Sequence, residues 1–270
     1  MVHNDSRSQS KMIGIVKLRS LGDSILTTSF IQSVREEFPH SSIRVFLPEN
    51  YTSLFAGEPY EVRGVPKNFK DLFLYHEFKA LDVLFVLHAS HHLGLVAKAS
   101  RVKNRVVHHH GLHEKDTGSH FTIPDRHQVK SILERDLDAL RAFTGKTHEV
   151  RLPQLFGYPS TTKKDGILFL VGGSRPTKIY PYYEELILKF RNANMKTISV
   201  SEKKLEKTLP VHEEIYGLDL PELAKKISEY NYVIGNDSGI FHLAKALKLK
   251  SLCLLGPENP NEWHPYSDPI

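Results

Sequence analysis

The chain has 270 residues, of which 40% are hydrophobic and 25% charged, a balance that is ordinary for folded globular proteins and excludes the disordered and fibrous classes. Its longest apolar runs, 81–87 and 167–171, are far shorter than the roughly 20 residues that cross a membrane, and residues 1–10 contain no apolar signal-peptide core. The single cysteine excludes an internal disulfide, so we expect a cytoplasmic protein. The formal net charge of +5 is compatible with a phosphorylated substrate, an anionic membrane face or nucleic acid, and it does not choose among them.

The first half of the chain alternates short apolar runs with stretches whose apolar residues recur at helical spacing. This alternation is typical of strand–helix units that build a parallel sheet. The predicted strands of this half are Met12–Leu18, Ser42–Leu47, Leu81–Leu87 and Arg105–His109. The predicted helices are Asp23–Phe38, Leu93–Ala99 and Val129–Phe143.

A segment rich in proline, glycine, serine and threonine, residues 152–164, predicts a linker. After it the same alternation begins again. The strands predicted there are Gly166–Val171, Met195–Val200, Tyr232–Ile234 and Ser251–Leu255, and the helices are Tyr182–Asn192, Leu220–Tyr230 and Ile240–Leu247. The sequence therefore predicts two open α/β domains with a cleft between them, one over 11–150 and one over 165–270. Ligands of such sheets bind beyond the carboxyl ends of the strands, so the loops after strands are the first candidates for function.

The first of these loops is Arg19–Asp23, between the first predicted strand and the first predicted helix. Gly22 permits a tight turn or a close approach of the backbone. Asp23 has two interpretations that can coexist: its carboxylate can cap the helix, or it can act as a general base at the edge of a cleft.

Two loops of the second half carry features of anion sites. In 171–178, small residues leave backbone N–H groups accessible, and Ser174, Arg175 and Lys178 add further donors, although neither a P-loop nor a dinucleotide fingerprint is present. In 232–244, a strand leads into a polar turn and a helix that begins near Ser238, where the first-turn N–H groups stabilise an anion. Alone, the loop at 171–178 is equally compatible with a plain turn, and a generic Asp-Ser-Gly turn such as the one at 237–239 favours a plain helix cap.

Three strings together resemble the heptosyltransferase family of bacterial lipopolysaccharide assembly, glycosyltransferase family 9. They are 15–28 with its Ser-Leu-Gly-Asp turn, the Lys-Ile-Tyr-Pro string at 178–181, and the Gly-Asn-Asp-Ser-Gly-Ile-Phe-His-Leu-Ala string at 235–244. The resemblance implies the fold class called GT-B, in which two Rossmann-like domains face each other across a cleft. It also implies that the first domain binds the acceptor and that the second binds a nucleotide-sugar donor.

The resemblance further implies roles for individual residues. Asp23 matches the family's proposed catalytic base, and Lys178 matches a lysine that contacts the donor phosphate. Asp237 is expected to accept hydrogen bonds from hydroxyls of the donor sugar. The whole donor-binding set implied in this way comprises Ser20, Gly22, Ser174, Lys178, Asp237, Ser238, Gly239 and His242.

The last part of the chain, 254–266, is similar to a further segment of the family, with Glu258 in the place of a threonine. We expect Trp263 to pack against a core. Family members usually continue for several tens of residues beyond this segment and end in a helix that crosses back to the first domain. The resemblance therefore implies a fold whose C-terminal end is shortened.

The histidines at 108–110, with His113, match no standard zinc spacing and have no cysteine partners, so we interpret them as solvated loop residues. His88, His91 and His92 follow a predicted strand. Together with Arg101, Lys103 and Arg105, they form a candidate surface for an anionic acceptor.

The function implied by the resemblance is inverting transfer of a sugar, with ADP-heptose as donor and a lipopolysaccharide core or related glycan as acceptor. As the resemblance implies it, this scheme needs no metal and no cofactor beyond the donor substrate. The expected partners are the nucleotide sugar and an anionic, lipid-linked acceptor, with peripheral contact at the inner-membrane face and without nucleic acid. Two alternatives stay open: a nucleotide-sugar epimerase on the same scaffold, and a non-catalytic nucleotide-sugar-binding protein.

Overall fold

The computed structural model describes residues 10–109, 119–121, 123, 130–160, 162–173 and 175–264. The chain divides into two compact units. Unit 1 comprises the described parts of Met1–Leu152 and of Asn261–Ile270, and unit 2 comprises those of Pro153–Pro260. Among the described residues, no helix combines the length and the apolar character needed to cross a membrane.

Unit 1 is an α/β unit with a five-stranded parallel sheet. Its strands are β1 (Met12–Val16), β2 (Ser42–Pro48), β3 (Glu61–Val65), β4 (Val83–Leu87) and β5 (Asn104–His108). Its helices are α1 (Leu21–Glu37), α2 (Lys70–Phe78), α3 (His91–Ala99) and α4 (Ile132–Thr144), with a 3-10 helix at Glu49–Phe55. The strand order is β3-β2-β1-β4-β5, so β1 is central and the order reverses direction between β1 and β4.

Unit 2 repeats this plan. Its strands are β6 (Lys164–Leu170), β7 (Thr197–Val200), β8 (Glu213–Ile215), β9 (Tyr230–Asn236) and β10 (Lys250–Leu254). Its helices are α5 (Tyr183–Asn192), α6 (Leu220–Ser228) and α7 (Gly239–Ala246), with a 3-10 helix at Pro176–Lys178 and a last short helix, α8 (Pro260–Trp263), at the boundary of the unit. The order β10-β9-β6-β7-β8 is the order of unit 1 read from the other edge, so the reversal lies between β6 and β9.

Central strands are apolar on both faces because helices cover both faces of such sheets. β4 is buried at every position, and β1 is buried from Ile13 onwards. In unit 2, Gly235 lets β9 lie close to β6, because a Cβ atom there would be 2.7 Å from the Cβ of Leu170. These apolar strands anchor the loops that follow them at the carboxyl edge of each sheet.

The α/β class with parallel sheets, predicted from the alternation of runs, is confirmed. The structure adds β3, α2 and β8, which the sequence patterns do not predict. It also groups the described residues 261–264 with unit 1 rather than with the second predicted domain. Trp263 packs against a cluster of Leu26, Ile132 and Leu133, which confirms its expected role in a core.

Candidate functional site

The point where the strand order reverses is the place where open α/β sheets bind ligands. In unit 1 this point lies beyond the ends of β1 and β4, and in unit 2 it lies beyond β6 and β9. The residues predicted from the sequence follow these strands in both units. Each unit therefore has its own candidate site, described in turn.

In unit 1, α1 begins with a reciprocal capping box. Ser20 is the N-cap, and its hydroxyl oxygen accepts a hydrogen bond from the backbone N–H of Asp23. Asp23 Oδ2 in turn accepts from the Ser20 hydroxyl at 2.6 Å and from the Ser20 backbone N–H at 3.3 Å. The helix thus begins at Leu21, before Asp23. Of the two possibilities for Gly22, the structure excludes the tight turn, because Gly22 lies in the first helical turn after the Ser20 cap.

The two carboxylate oxygens of Asp23 have different surroundings. The residue is only 9% exposed, and Oδ2 is engaged in the capping box. Oδ1 is buried and accepts no hydrogen bond from any residue that the structure describes. A buried carboxylate oxygen without a donor has lost water without compensation, so it can accept a hydrogen bond from a bound group.

Next to Asp23, the strand ends carry a buried ion pair. Lys17 follows β1, and its ammonium donates to both carboxylate oxygens of Asp136 on α4, each at 2.9 Å. The side chains are 0% and 1% exposed. Burial removes the water from both charges. Their mutual attraction offsets this loss of hydration only when the hydrogen-bond geometry is good, as it is here. The signal for this pair in the sequence is a lone lysine within the predicted apolar strand Met12–Leu18, to which the motifs assign no role.

His88 belongs to the same edge of the sheet. It follows β4 with a left-handed φ of 55°, a conformation that costs a non-glycine residue free energy and is often found at functional sites. Burial, helped by the nearby positive charges of Lys17 and Arg19, lowers the pKa of His88 to about 4, although Asp23 and Asp136 oppose the change. The imidazole is therefore neutral at pH 7 and adds no charge beside Asp23.

The other histidines and cations of unit 1 differ from expectation. His108 and His109 are buried, so their interpretation as solvated loop residues is wrong: His108 ends β5, and Nδ1 of His109 lies 2.9 Å from the carbonyl oxygen of Ala89. His110 and His113 lie outside the described residues. Arg105 is buried near the start of β5 and donates to the Val102 carbonyl. It therefore lies at the opposite end of the strands from His88, so the two cannot form one acceptor surface.

In unit 2, the predicted residues surround the start of α7. Ser238 is the N-cap, and its hydroxyl accepts from the backbone N–H of Phe241. Asp237, the preceding residue, is buried; its Oδ2 accepts from the Lys178 ammonium at 2.8 Å, and its Oδ1 lies 3.8 Å from Nε2 of His242. Lys178 also contacts Glu258 Oε1 at 3.1 Å. Of the second-domain residues predicted to bind the donor, the structure thus brings Lys178, Asp237 and His242 together beside the helix start.

Asn236, the last residue of β9, holds this loop cluster in place. It is fully buried; its Oδ1 accepts from the backbone N–H of Tyr180 at 2.8 Å, and its Nδ2 donates to the Gly172 carbonyl at 3.0 Å. Both ends of the amide are therefore used to join β9 to the loop after β6. The sequence places Asn236 in a motif but assigns no role to it.

The cluster can bind an anion. Lys178 stays charged, because the hydrogen bonds to Asp237 and Glu258 outweigh the effect of burial and raise its pKa. The N-terminus of α7 adds the partial positive charge of its first-turn N–H groups. Gly172 contributes open space, since a Cβ atom at this position would meet no described atom within 4 Å. Ser174, predicted to add a hydroxyl, lies outside the described residues.

Comparisons with known proteins agree with this arrangement. The family model for glycosyltransferase family 9 (heptosyltransferase) matches residues 124–270, more than half of the chain. No curated protein sequence gives a significant match.

Solved structures with the same fold include three glycosyltransferases. A family 9 glycosyltransferase from Veillonella parvula is 21% identical, with a TM-score of 0.77 over 97% of this chain and 87% of its own. Heptosyltransferase II of E. coli is 18% identical, with a TM-score of 0.73 over 93% and 86%. E. coli heptosyltransferase WaaC, solved with ADP-2-deoxy-2-fluoro heptose, is 16% identical, with a TM-score of 0.70 over 92% and 90%. The motifs, the fold and the family match agree: the chain belongs to glycosyltransferase family 9, the heptosyltransferase family, and is a glycosyltransferase.

Proposed function

We propose that this glycosyltransferase moves a heptose from ADP-heptose onto a lipopolysaccharide core or a related glycan acceptor, with inversion at the anomeric carbon. The observation that supports the donor class best is the Lys178–Asp237 pair beside the start of α7. Structures of the E. coli enzyme WaaC with ADP and with a fluorinated ADP-heptose support the choice of ADP-heptose by analogy.

In unit 2, positively charged groups bind the diphosphate of the donor, and hydrogen-bond acceptors bind the hydroxyls of its sugar. The Lys178 ammonium and the first-turn N–H groups of α7, at Ser238 and Gly239, receive the diphosphate, because both offer positive charge. Asp237 and His242 present acceptor atoms to the sugar hydroxyls. No metal or resident cofactor takes part in this scheme, since the ammonium and the helix start neutralise the leaving diphosphate.

Asp23 is the general base of the proposed reaction. The second carboxylate oxygen of Asp23, Oδ1, takes the proton of the acceptor hydroxyl while the acceptor oxygen forms a bond to the anomeric carbon. The bond from the anomeric carbon to the diphosphate breaks, and ADP leaves. Ser20 keeps Oδ2 fixed and thereby orients Oδ1, in addition to the donor contact expected of it from the resemblance. A lipid-linked, anionic acceptor places the enzyme in peripheral contact with the cytoplasmic face of the inner membrane.

The test is a thermal-shift panel of ADP, UDP, GDP and CMP, together with ADP-heptose and UDP-sugars. A ligand that binds only the native state raises the unfolding temperature by mass action. We expect ADP and ADP-heptose to stabilise the wild-type protein selectively and Lys178→Ala to lose most of that shift. Stabilisation by UDP-sugars alone would indicate that the donor is a UDP-sugar and not ADP-heptose. If no nucleotide raised the unfolding temperature, the proposal would be contradicted.

The alternatives are separated by product analysis. With ADP-heptose and acceptor present, the proposal expects glycosylated acceptor and ADP in equal amounts. Epimerised free nucleotide sugar formed without acceptor would instead indicate an epimerase, and donor binding without turnover would indicate a binding protein.

A further inference from the structure

Glu258 lies in the loop after β10, and the backbone holds this loop against the turn that carries Lys178. A Cβ atom at Gly256 would lie 3.0 Å from the carbonyl oxygen of Thr177 and 3.5 Å from the Cα of Lys178. A side chain at this position would crowd the backbone of the Lys178 turn and force it to shift by a few tenths of an ångström. The position of Glu258 beside Lys178 is therefore built into the fold of unit 2.

Two carboxylates share a single ammonium at this site. Lys178 Nζ lies 2.8 Å from Asp237 Oδ2 and 3.1 Å from Glu258 Oε1. The three side chains together carry one net negative charge. An incoming diphosphate is itself an anion, so this local charge opposes its binding unless one carboxylate moves away.

Glu258 is the carboxylate that can leave. Its side chain is 28% exposed, whereas that of Asp237 is 6% exposed and also lies beside His242. Moving Glu258 into solvent restores its hydration, whereas the buried carboxylate of Asp237 has no such access to water where it lies.

We infer that Glu258 competes with the donor's diphosphate for Lys178, and thereby lowers the affinity for the donor and for the nucleoside diphosphate product. This inference rests on the proposed function, in which Lys178 binds that diphosphate. When Glu258 returns to Lys178, it displaces the product phosphate, which favours product release after transfer. The threonine expected at this position from the family resemblance has no charge and cannot compete in this way.

Calorimetric titration of ADP and, separately, of inorganic pyrophosphate tests the inference. We expect Glu258→Gln to bind both ligands about three- to tenfold more tightly than the wild type, because a near-isosteric amide removes the negative charge at a partly exposed site. ADP should also become a stronger product inhibitor of transfer by a similar factor. Glu258→Thr should change affinity in the same direction.

A matched control removes a carboxylate elsewhere in unit 2. Glu229→Gln breaks the ion pair between Lys164 Nζ and Glu229 Oε2, which are 2.6 Å apart. This pair lies at the amino end of β6, away from the loops after the strands. The affinity of this variant for ADP should stay within about twofold of the wild type. In a double-mutant cycle, Glu258→Gln should have no effect once Lys178 is replaced by alanine.

The outcomes separate this inference from the proposed function. If Lys178→Ala weakens ADP binding while Glu258→Gln leaves it unchanged or weakens it, the competition is refuted and the donor site stands. If neither the wild type nor Glu258→Gln binds ADP or pyrophosphate, the donor site is wrong and the inference is overturned with it.

Discussion

Asp23 has two carboxylate oxygens with different surroundings, which bears on its two interpretations as a helix cap and as a general base. Oδ2 belongs to the capping box, whereas Oδ1 is buried without a donor among the described residues. The sequence could identify the residue but not this division, because the division depends on where α1 begins.

Replacing Asp23 by asparagine separates the two roles. The amide oxygen of asparagine can still accept from Ser20, so the fold and ADP binding should be kept, whereas the proton of the acceptor has no base. Transfer measured with saturating donor should fall about 10²- to 10⁴-fold. Ser131→Ala is the matched control, since Ser131 caps α4 in the same unit; it should cost about 1 kcal/mol of stability and leave transfer unchanged. Unimpaired transfer by Asp23→Asn would remove this residue from the mechanism.

At the scale of elements, the central strands could be predicted because helices cover both of their faces and make them continuously apolar. The strands that were missed lie at or near the edges: β3 has a burial pattern that alternates and contains a glycine, and β8 has only three residues. The start of α2 carries no capping signal, since it follows Phe69 in a left-handed conformation without a side-chain cap.

Contacts that join elements are also invisible to sequence patterns. Lys17 and Asp136 are separated by 119 residues, and only the fold brings β1 and α4 together. Asn236 likewise joins β9 to the loop after β6 through its side-chain amide. Sequence resemblance located the loops of the candidate site, whereas the groups that hold those loops appear only in three dimensions.

The buried pair of Lys17 and Asp136 leads to a prediction about how α4 is held on the sheet. Lys17→Met should lower the free energy of unfolding by about 3–5 kcal/mol, because it leaves the Asp136 carboxylate buried without its cation. The double variant Lys17→Met/Asp136→Leu should recover most of this loss, since both charges are then replaced by apolar groups of similar size. Urea unfolding measures both values.

A surface pair provides the control. Arg151 and Glu36 form an ion pair whose side chains are 45% and 58% exposed, so Arg151→Gln should leave the free energy of unfolding nearly unchanged. If Lys17→Met costs no more than Arg151→Gln, the buried pair does not hold α4 in place.

On the scale of the whole molecule, the two units share one strand order, and the chain passes from unit 1 to unit 2 and back. The repeat of the α/β pattern predicted two domains from sequence. The return of residues 261–264 to unit 1 could not be predicted, because four residues are too few to show a periodicity. The contacts of this returning segment include the packing of Trp263 against Leu26, Ile132 and Leu133, and the pairing of Glu262 with Arg135 at 2.6 Å.

Because the only tryptophan of the chain lies in this returning segment, its replacement tests the discontinuity of unit 1 directly. Trp263→Ala should destabilise unit 1 by about 1–3 kcal/mol, less than for a fully buried tryptophan, since the side chain is only partly buried. In hydrogen exchange, the most protected amides of α1 and α4 should exchange about 5- to 100-fold faster, while those of β6 and β9 in unit 2 keep their rates. Tyr216→Ala, which removes an exposed aromatic side chain of unit 2, should leave α1 and α4 unchanged. Faster exchange in β6 and β9, with α1 and α4 unaffected, would show that Trp263 stabilises unit 2 instead.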